Sequence, residues 1–218
     1  MRRVAGVRHA GDHASMPLEE VILHVEEEAL PADVASFLEE ADRRITIFLD
    51  DRRDQPIPGF VPSGFEKVYL LLRYIEEHGV APGGAFCEWG SGYGVVAALA
   101  AMLEYDACGI EIDRDLVDSS MELVEDFGLP VELVQGSFVP AGGQAITDQV
   151  TESAWLSTES VDGYDELGVD PHDFDVIYAY PWPGEEHVIQ TLFEQYAGVG
   201  ALLVLYLGIN ELMVYRKT

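Results

Sequence analysis

Lysine is almost absent from this sequence: Lys67 and Lys217 are the only two in 218 residues. The 12 basic residues face 40 acidic ones, a formal net charge of −28 at pH 7. A field of that sign repels phosphate backbones, so direct nucleic-acid binding is not expected. It fits a solvation adaptation to high salt or a charge that keeps the protein dispersed, and a partner drawn by it would be a neutral or cationic species such as an amine or a basic peptide. Cysteine is equally scarce. Cys87 and Cys108 fall in predicted buried strands without ligand spacing, as small hydrophobes of a reducing compartment rather than a disulfide framework or zinc site. No apolar run reaches the roughly 18–20 residues that span a bilayer, and no apolar stretch of a signal peptide follows Arg2 and Arg3. A cytoplasmic protein without membrane contact is expected. His9 and His13 have i, i+4 spacing but no third ligand, so no metal is expected.

What is present is a chain that can bury one substantial core, read as a single domain over 17–218. Residues 1–16 lack periodicity and are expected to be a flexible tail. Two predicted helices, near 18–29 and 32–50, form an N-terminal helical addition over 17–60, the second with Val34, Leu38, Ala41, Ile45 and Phe48 at steps of three and four. Prolines and glycines make Gln55–Gly64 an irregular connection. Ser63 and Glu66 then have the spacing of a capping box, opening a predicted helix over 64–78.

From Ala85 the pattern alternates. Strands are predicted over Ala85–Trp89, Ala107–Ile112, Val131–Gln135, Phe174–Tyr180 and Ala201–Leu207, with helices over Tyr93–Glu104, Arg114–Phe127 and about 185–196 between them. Alternation of this kind makes a parallel sheet with helical crossovers. Glu211–Arg216 follows Leu207 too closely for a crossover and must be antiparallel. The expected fold is therefore α/β, a Rossmann-like doubly wound and mostly parallel sheet of five parallel strands plus one antiparallel C-terminal edge strand. Residues 139–173, rich in Gly, Ser, Thr and Asp, read as an insertion.

The chemistry concentrates at strand ends. Glu88-Trp89-Gly90-Ser91-Gly92-Tyr93-Gly94 leaves the first predicted strand of the alternating region, and 17 residues after Gly94 comes Glu111 at the tip of the next. Glycines there let the backbone turn sharply and approach a ligand with no Cβ in the way. This constellation resembles the class I S-adenosylmethionine-dependent methyltransferases, whose first motif reads acid-x-Gly-x-Gly-x-Gly and whose second strand ends in an acid. The resemblance covers residues 60–138 well and 174–217 moderately. It implies S-adenosyl-L-methionine as cofactor. Gly90, Ser91 and Gly92 would line its methionine part, Glu88 would help hold its amino end, Glu111 would accept both ribose hydroxyls, and Ile112 would lie against the adenine. Gln135-Gly136-Ser137-Phe138 stands where the family often has an acid reading the adenine amino group; here Gly136 and Ser137 occupy the place, and the serine hydroxyl or backbone would substitute.

Tyr178-Ala179-Tyr180-Pro181-Trp182-Pro183 shares only its later positions with the Asn/Asp-Pro-Pro-aromatic signature of enzymes that methylate amino groups. Tyr180 and Trp182 are candidate walls of an acceptor pocket. No nucleophilic residue is required for methyl transfer; a base, where one is needed, is open among His172, Glu185, Glu186 and bulk water, and His187 is a further candidate. The reading is a methyltransferase acting on a small molecule or a protein amine. The alternatives are a non-catalytic cofactor-binding module and a nicotinamide-dependent oxidoreductase, whose G-x-G-x-x-G/A fingerprint would need Gly or Ala where Val95 stands. An aminopropyl transferase is remoter.

Overall fold

The computed structural model describes residues 18–54, 60–147, 161–208 and 211–218. The predicted tail and residues 148–160 of the central insertion lie outside the described residues.

The strands β1 (Leu18–Glu20), β2 (Ala85–Trp89), β3 (Asp106–Glu111), β4 (Val131–Gln135), β5 (Val176–Ala179), β6 (Leu202–Tyr206) and β7 (Leu212–Lys217) form one sheet in the order β1-β7-β6-β5-β2-β3-β4. β2 to β6 are mutually parallel, as the alternation requires. β7 is antiparallel to β6, but it is not the edge: β1 pairs with its outer side, antiparallel again. That corrects two expectations. Residues 18–29 are not a helix, because Val21, Leu23 and Val25 alternate with exposed Ile22, His24 and Glu26. This is the period of an extended chain, and those three side chains pack on the layer beneath.

Two helical layers cover the sheet. On one face α2 (Phe65–Glu77), α3 (Val95–Met102) and α4 (Arg114–Asp126) lie over it. The N-terminal helix α1 (Ala32–Asp51) adds a further layer, burying Val34, Phe37, Leu38, Ala41, Ile45 and Phe48 against α2, α3 and α4. Each of these side chains other than Ala41 contributes about 1.5–3 kcal/mol of transfer free energy. On the other face α7 (Glu186–Tyr196) packs Val188, Ile189, Leu192 and Phe193 onto Ile177, Leu203 and Leu205. Short helices α5 (Gln144–Thr147) and α6 (Gly163–Leu167) belong to the same side.

The capping box does not form. The residue preceding α2 is Gly64, with no side-chain cap, and the Ser63 carbonyl accepts the Phe65 N–H at 3.0 Å. The tight turn takes Ser63 into the crevice described below. Cys87 and Cys108, register partners on β2 and β3, are both buried and free.

Candidate active site

At the carboxyl ends of β2 to β5, where open α/β sheets bind ligands, lies a crevice of about 410 Å³. It is lined by all ten residues singled out from the sequence: Glu88, Gly90, Ser91, Gly92, Glu111, Ile112, Gly136, Ser137, Tyr180 and Trp182.

The β2–α3 turn is built by three left-handed residues, Gly90, Gly92 and Gly94, with φ of 68°, 53° and 70°. L-side chains pay for that region of φ. The Gly90 and Ser91 N–H groups both donate to the Ile110 carbonyl, at 2.9 and 3.0 Å, which ties the turn down onto β3. This is possible because Gly109 lies beneath: a Cβ there would stand 2.7 Å from that of Ser91. The Ser91 hydroxyl is buried without a hydrogen-bond partner.

Glu111 is 8% exposed. Its carboxylate accepts the N–H groups of Gly92 at 2.7 Å, Ile112 at 2.8 Å and Asp113 at 2.9 Å. A carboxylate has about four acceptor positions, so the loop takes most of them. Burial raises the Glu111 pKa, and the three N–H groups pull against that rise. Ile112, an exposed apolar side chain, forms the adjoining wall.

Glu88 has a second employment that the sequence did not show. Helix α3 starts at a glycine and has no side-chain cap of its own. The buried Glu88 carboxylate instead accepts the Ala97 N–H at 2.8 Å, satisfying one of the helix's orphan donors from the neighbouring strand. Replacing Glu88 by Ala is expected to cost about 1–2 kcal/mol in urea unfolding, the value of a lost cap. Burial holds this carboxyl well above the ordinary carboxylate range, the Ala97 N–H opposes the shift, and nearby Glu111 adds to it. An acid raised on folding stabilises the native state most below its unfolded pKa, near 4.5, and that contribution is lost as pH climbs through the raised folded value. Glu88→Gln, neutral at every pH, is therefore expected to gain stability relative to the wild type as pH rises above that point; a constant difference across the range would contradict the assignment.

Beyond β4, Gly136 and Ser137 pair with the end of the insertion. The Ser137 N–H donates to the Val161 carbonyl at 2.8 Å, and the Gly163 N–H donates to the Ser137 carbonyl at 3.0 Å. The Ser137 hydroxyl accepts the Val139 N–H at 3.1 Å. The backbone substitution expected for the missing adenine-reading acid is thus occupied. Gly163, absent from the predicted set, makes the approach possible: a Cβ on Gly136 would lie 2.7 Å from its Cα. Phe138 stacks on Trp89 with centroids 5.3 Å apart, and its carbonyl accepts the Tyr164 hydroxyl at 2.9 Å.

On the β5 side Tyr180 packs edge-on against Tyr206 at 4.8 Å, and the Trp182 N–H donates to buried Glu185 at 3.2 Å. Ser63 and Tyr178 adjoin this half, and the Phe60 ring lies over Gly92 of the glycine turn. Sequence reasoning missed them, since Tyr178 matters by standing opposite Glu88 in the β2–β5 register. The histidines are not here. His172 is exposed and precedes β5, at the opposite end of the strand, and His187 is exposed on α7; neither lines the crevice.

No protein-family model matches the sequence, and no curated protein matches it. Among solved structures, a methyltransferase from Geobacter sulfurreducens superposes with a TM-score of 0.51 at 17% identity, over 86% of this chain and 98% of that one. This is the class I methyltransferase fold. An RNA methyltransferase from Salinibacter ruber, solved with S-adenosyl-L-homocysteine, is similar at a TM-score of 0.48 and 20% identity, over 72% of this chain and 92% of that one. An O-methyltransferase from Bacillus cereus, also with that product, gives 0.48 and 13% identity over 81% and 66% of the two chains.

Among the described residues no helix is long and apolar enough to cross a membrane. The described arginines are engaged: Arg43 and Arg44 with Glu40, Arg52 with Asp115, Arg53 with Asp50, Arg73 with Glu28, Arg114 with Asp118, and Arg216 with the Val80 carbonyl. Such surface pairs are worth little for stability.

Proposed function

We propose that the crevice binds S-adenosylmethionine and that the protein transfers its methyl group to an acceptor, a small molecule or an amine of a basic peptide, entering beside Tyr180 and Trp182. The observation that carries this reading is the convergence of Gly90, Ser91, Gly92, Glu111, Ile112, Gly136 and Ser137 on one side of a single crevice and Tyr180 and Trp182 on the other. The residues fit the cofactor. The glycine turn is a cradle that side chains would fill, and the Ser91 hydroxyl awaits a partner. When bound, the sulfonium supplies an electrophilic methyl carbon. The chain's part is alignment and water exclusion: Glu111 and the glycine turn, with Phe60 over Gly92, fix the nucleoside and amino-acid ends, while Tyr178, Tyr180 and Trp182 wall the acceptor side.

The oxidoreductase alternative finds no support in the turn, where the buried Val95 side chain fills the position that the dinucleotide fingerprint keeps small. A thermal-shift titration tests the reading. S-adenosylmethionine and S-adenosylhomocysteine should each raise Tm, by the equivalent of about 2.7 kcal/mol at a hundredfold excess over Kd, and NADH should not. A rise with NADH alone would overturn it.

A further inference from the structure

The acceptor half of the crevice carries a charge pattern that narrows the substrate class. The charged residues lining the crevice are Glu88, Glu111, Asp113 and Glu185, with no lysine, arginine or histidine among the lining residues. Of these, Glu185 belongs to the β5 side, where it is 5% exposed and held by the Trp182 N–H in the turn that leads into α7. The rings of Phe65, Tyr178, Tyr180 and Trp182 line the same crevice, while that of Phe60 lies over Gly92. The Tyr178 hydroxyl is buried on this side of the crevice and interacts with Ser63. An aromatic enclosure with one buried carboxylate attracts an organic cation through ring quadrupoles and direct charge. The same enclosure repels carboxylates and phosphates, whose burial here would go uncompensated.

We infer that the acceptor is a small primary or secondary amine, held in its ammonium form by Glu185 and the aromatic walls, with Glu185 taking the proton that the amine must lose before it reacts. This rests on the methyltransferase reading above. The step balances. The ammonium gives one proton to the Glu185 carboxylate and so frees its lone pair. That pair forms the new N–C bond as the C–S bond breaks, its electrons remaining on sulfur, and Glu185 passes the proton to water. A cationic amine and a sulfonium thus become a methylated ammonium, a neutral thioether and a released proton.

The test uses the full chain saturated with S-adenosylhomocysteine and three isosteric probes: benzylamine, benzyl alcohol and benzoate. Calorimetric titration should show benzylamine binding about tenfold or more tighter than benzyl alcohol, a cation–π plus charge contribution of that order, with benzoate weakest. Glu185→Gln, which keeps the side chain's size, should erase the amine preference while S-adenosylhomocysteine still binds, and that retained binding certifies the fold. Equal affinity for amine and alcohol, preference for benzoate, absence of amine binding to the loaded protein, or an amine preference untouched by Glu185→Gln would each overturn the inference and leave the cofactor reading standing. Failure of S-adenosylhomocysteine itself to bind would instead sink the reading on which the inference rests.

Discussion

Gly109→Ala is expected to destabilise the protein by roughly 1–3 kcal/mol, the usual cost of forcing a methyl into a filled core, and to weaken cofactor binding at the same time. The two effects share a cause. A Cβ at this strand position would lie 2.7 Å from Ser91 Cβ, 2.8 Å from Leu133 Cδ2 and 2.9 Å from the Ser91 hydroxyl. Leu133 can turn aside, but Ser91 is fixed by its N–H bond to Ile110 and by the left-handed glycines on either side. The turn must therefore lift from the sheet, carrying with it the surface proposed to hold the methionine portion of the ligand. Urea unfolding and a parallel titration with S-adenosylhomocysteine report the two effects separately; normal affinity in a destabilised variant would mean that the turn does not touch the ligand.

The second large effect is expected at Glu111. Its removal in Glu111→Ala strips the acceptor from the Gly92, Ile112 and Asp113 N–H groups and removes the acid proposed to meet the ribose. Hydrogen bonds to a charged group are worth about 1.5–3 kcal/mol each. The loss of one ligand contact together with loosening of the turn corresponds to a fall in affinity on the order of a hundredfold. Glu111→Gln should not restore it, because an amide nitrogen would face N–H groups where a second acceptor oxygen is needed. Near-native affinity in the glutamine variant would show that ribose recognition lies elsewhere.

Glu111 and the glycine turn that rests on Gly109 are legible from the sequence, for a physical reason, whereas Gly109 itself is marked out only by its contact with Ser91. A strand whose tip turns into a helix in a few residues must use glycine with positive φ, so Gly90, Gly92 and Gly94 mark the turn. The alternation of apolar runs with helical stripes dictates a parallel sheet, which the β2–β6 pairings bear out. What was not legible depends on contacts between residues distant in the chain. Residues 18–20 were read as helix because a short acidic-apolar stretch satisfies helical spacing loosely. The pairing of Leu18–Glu20 with Tyr215–Lys217 that makes them a strand is set almost 200 residues away. Glu88 could be placed at a strand end, but not recognised as the cap of α3, since that needs the register of strand against helix. Ser137 was singled out while Gly163, which closes against Gly136 and occupies the backbone beside it, lay in a segment without periodicity. Likewise Tyr178 acquires its place only from the β2–β5 register, and His172 loses its candidacy only when the direction of β5 is known.

The most direct test of the account is isothermal titration of the purified protein with S-adenosylmethionine, run in parallel on Glu111→Ala and repeated with NADH. Saturable binding of S-adenosylmethionine by the wild type, lost or weakened on the order of a hundredfold in the variant and absent with NADH, is the predicted result. Absence of binding to the wild type, or unchanged affinity in Glu111→Ala, would contradict the assignment of this crevice as the methyl-donor site.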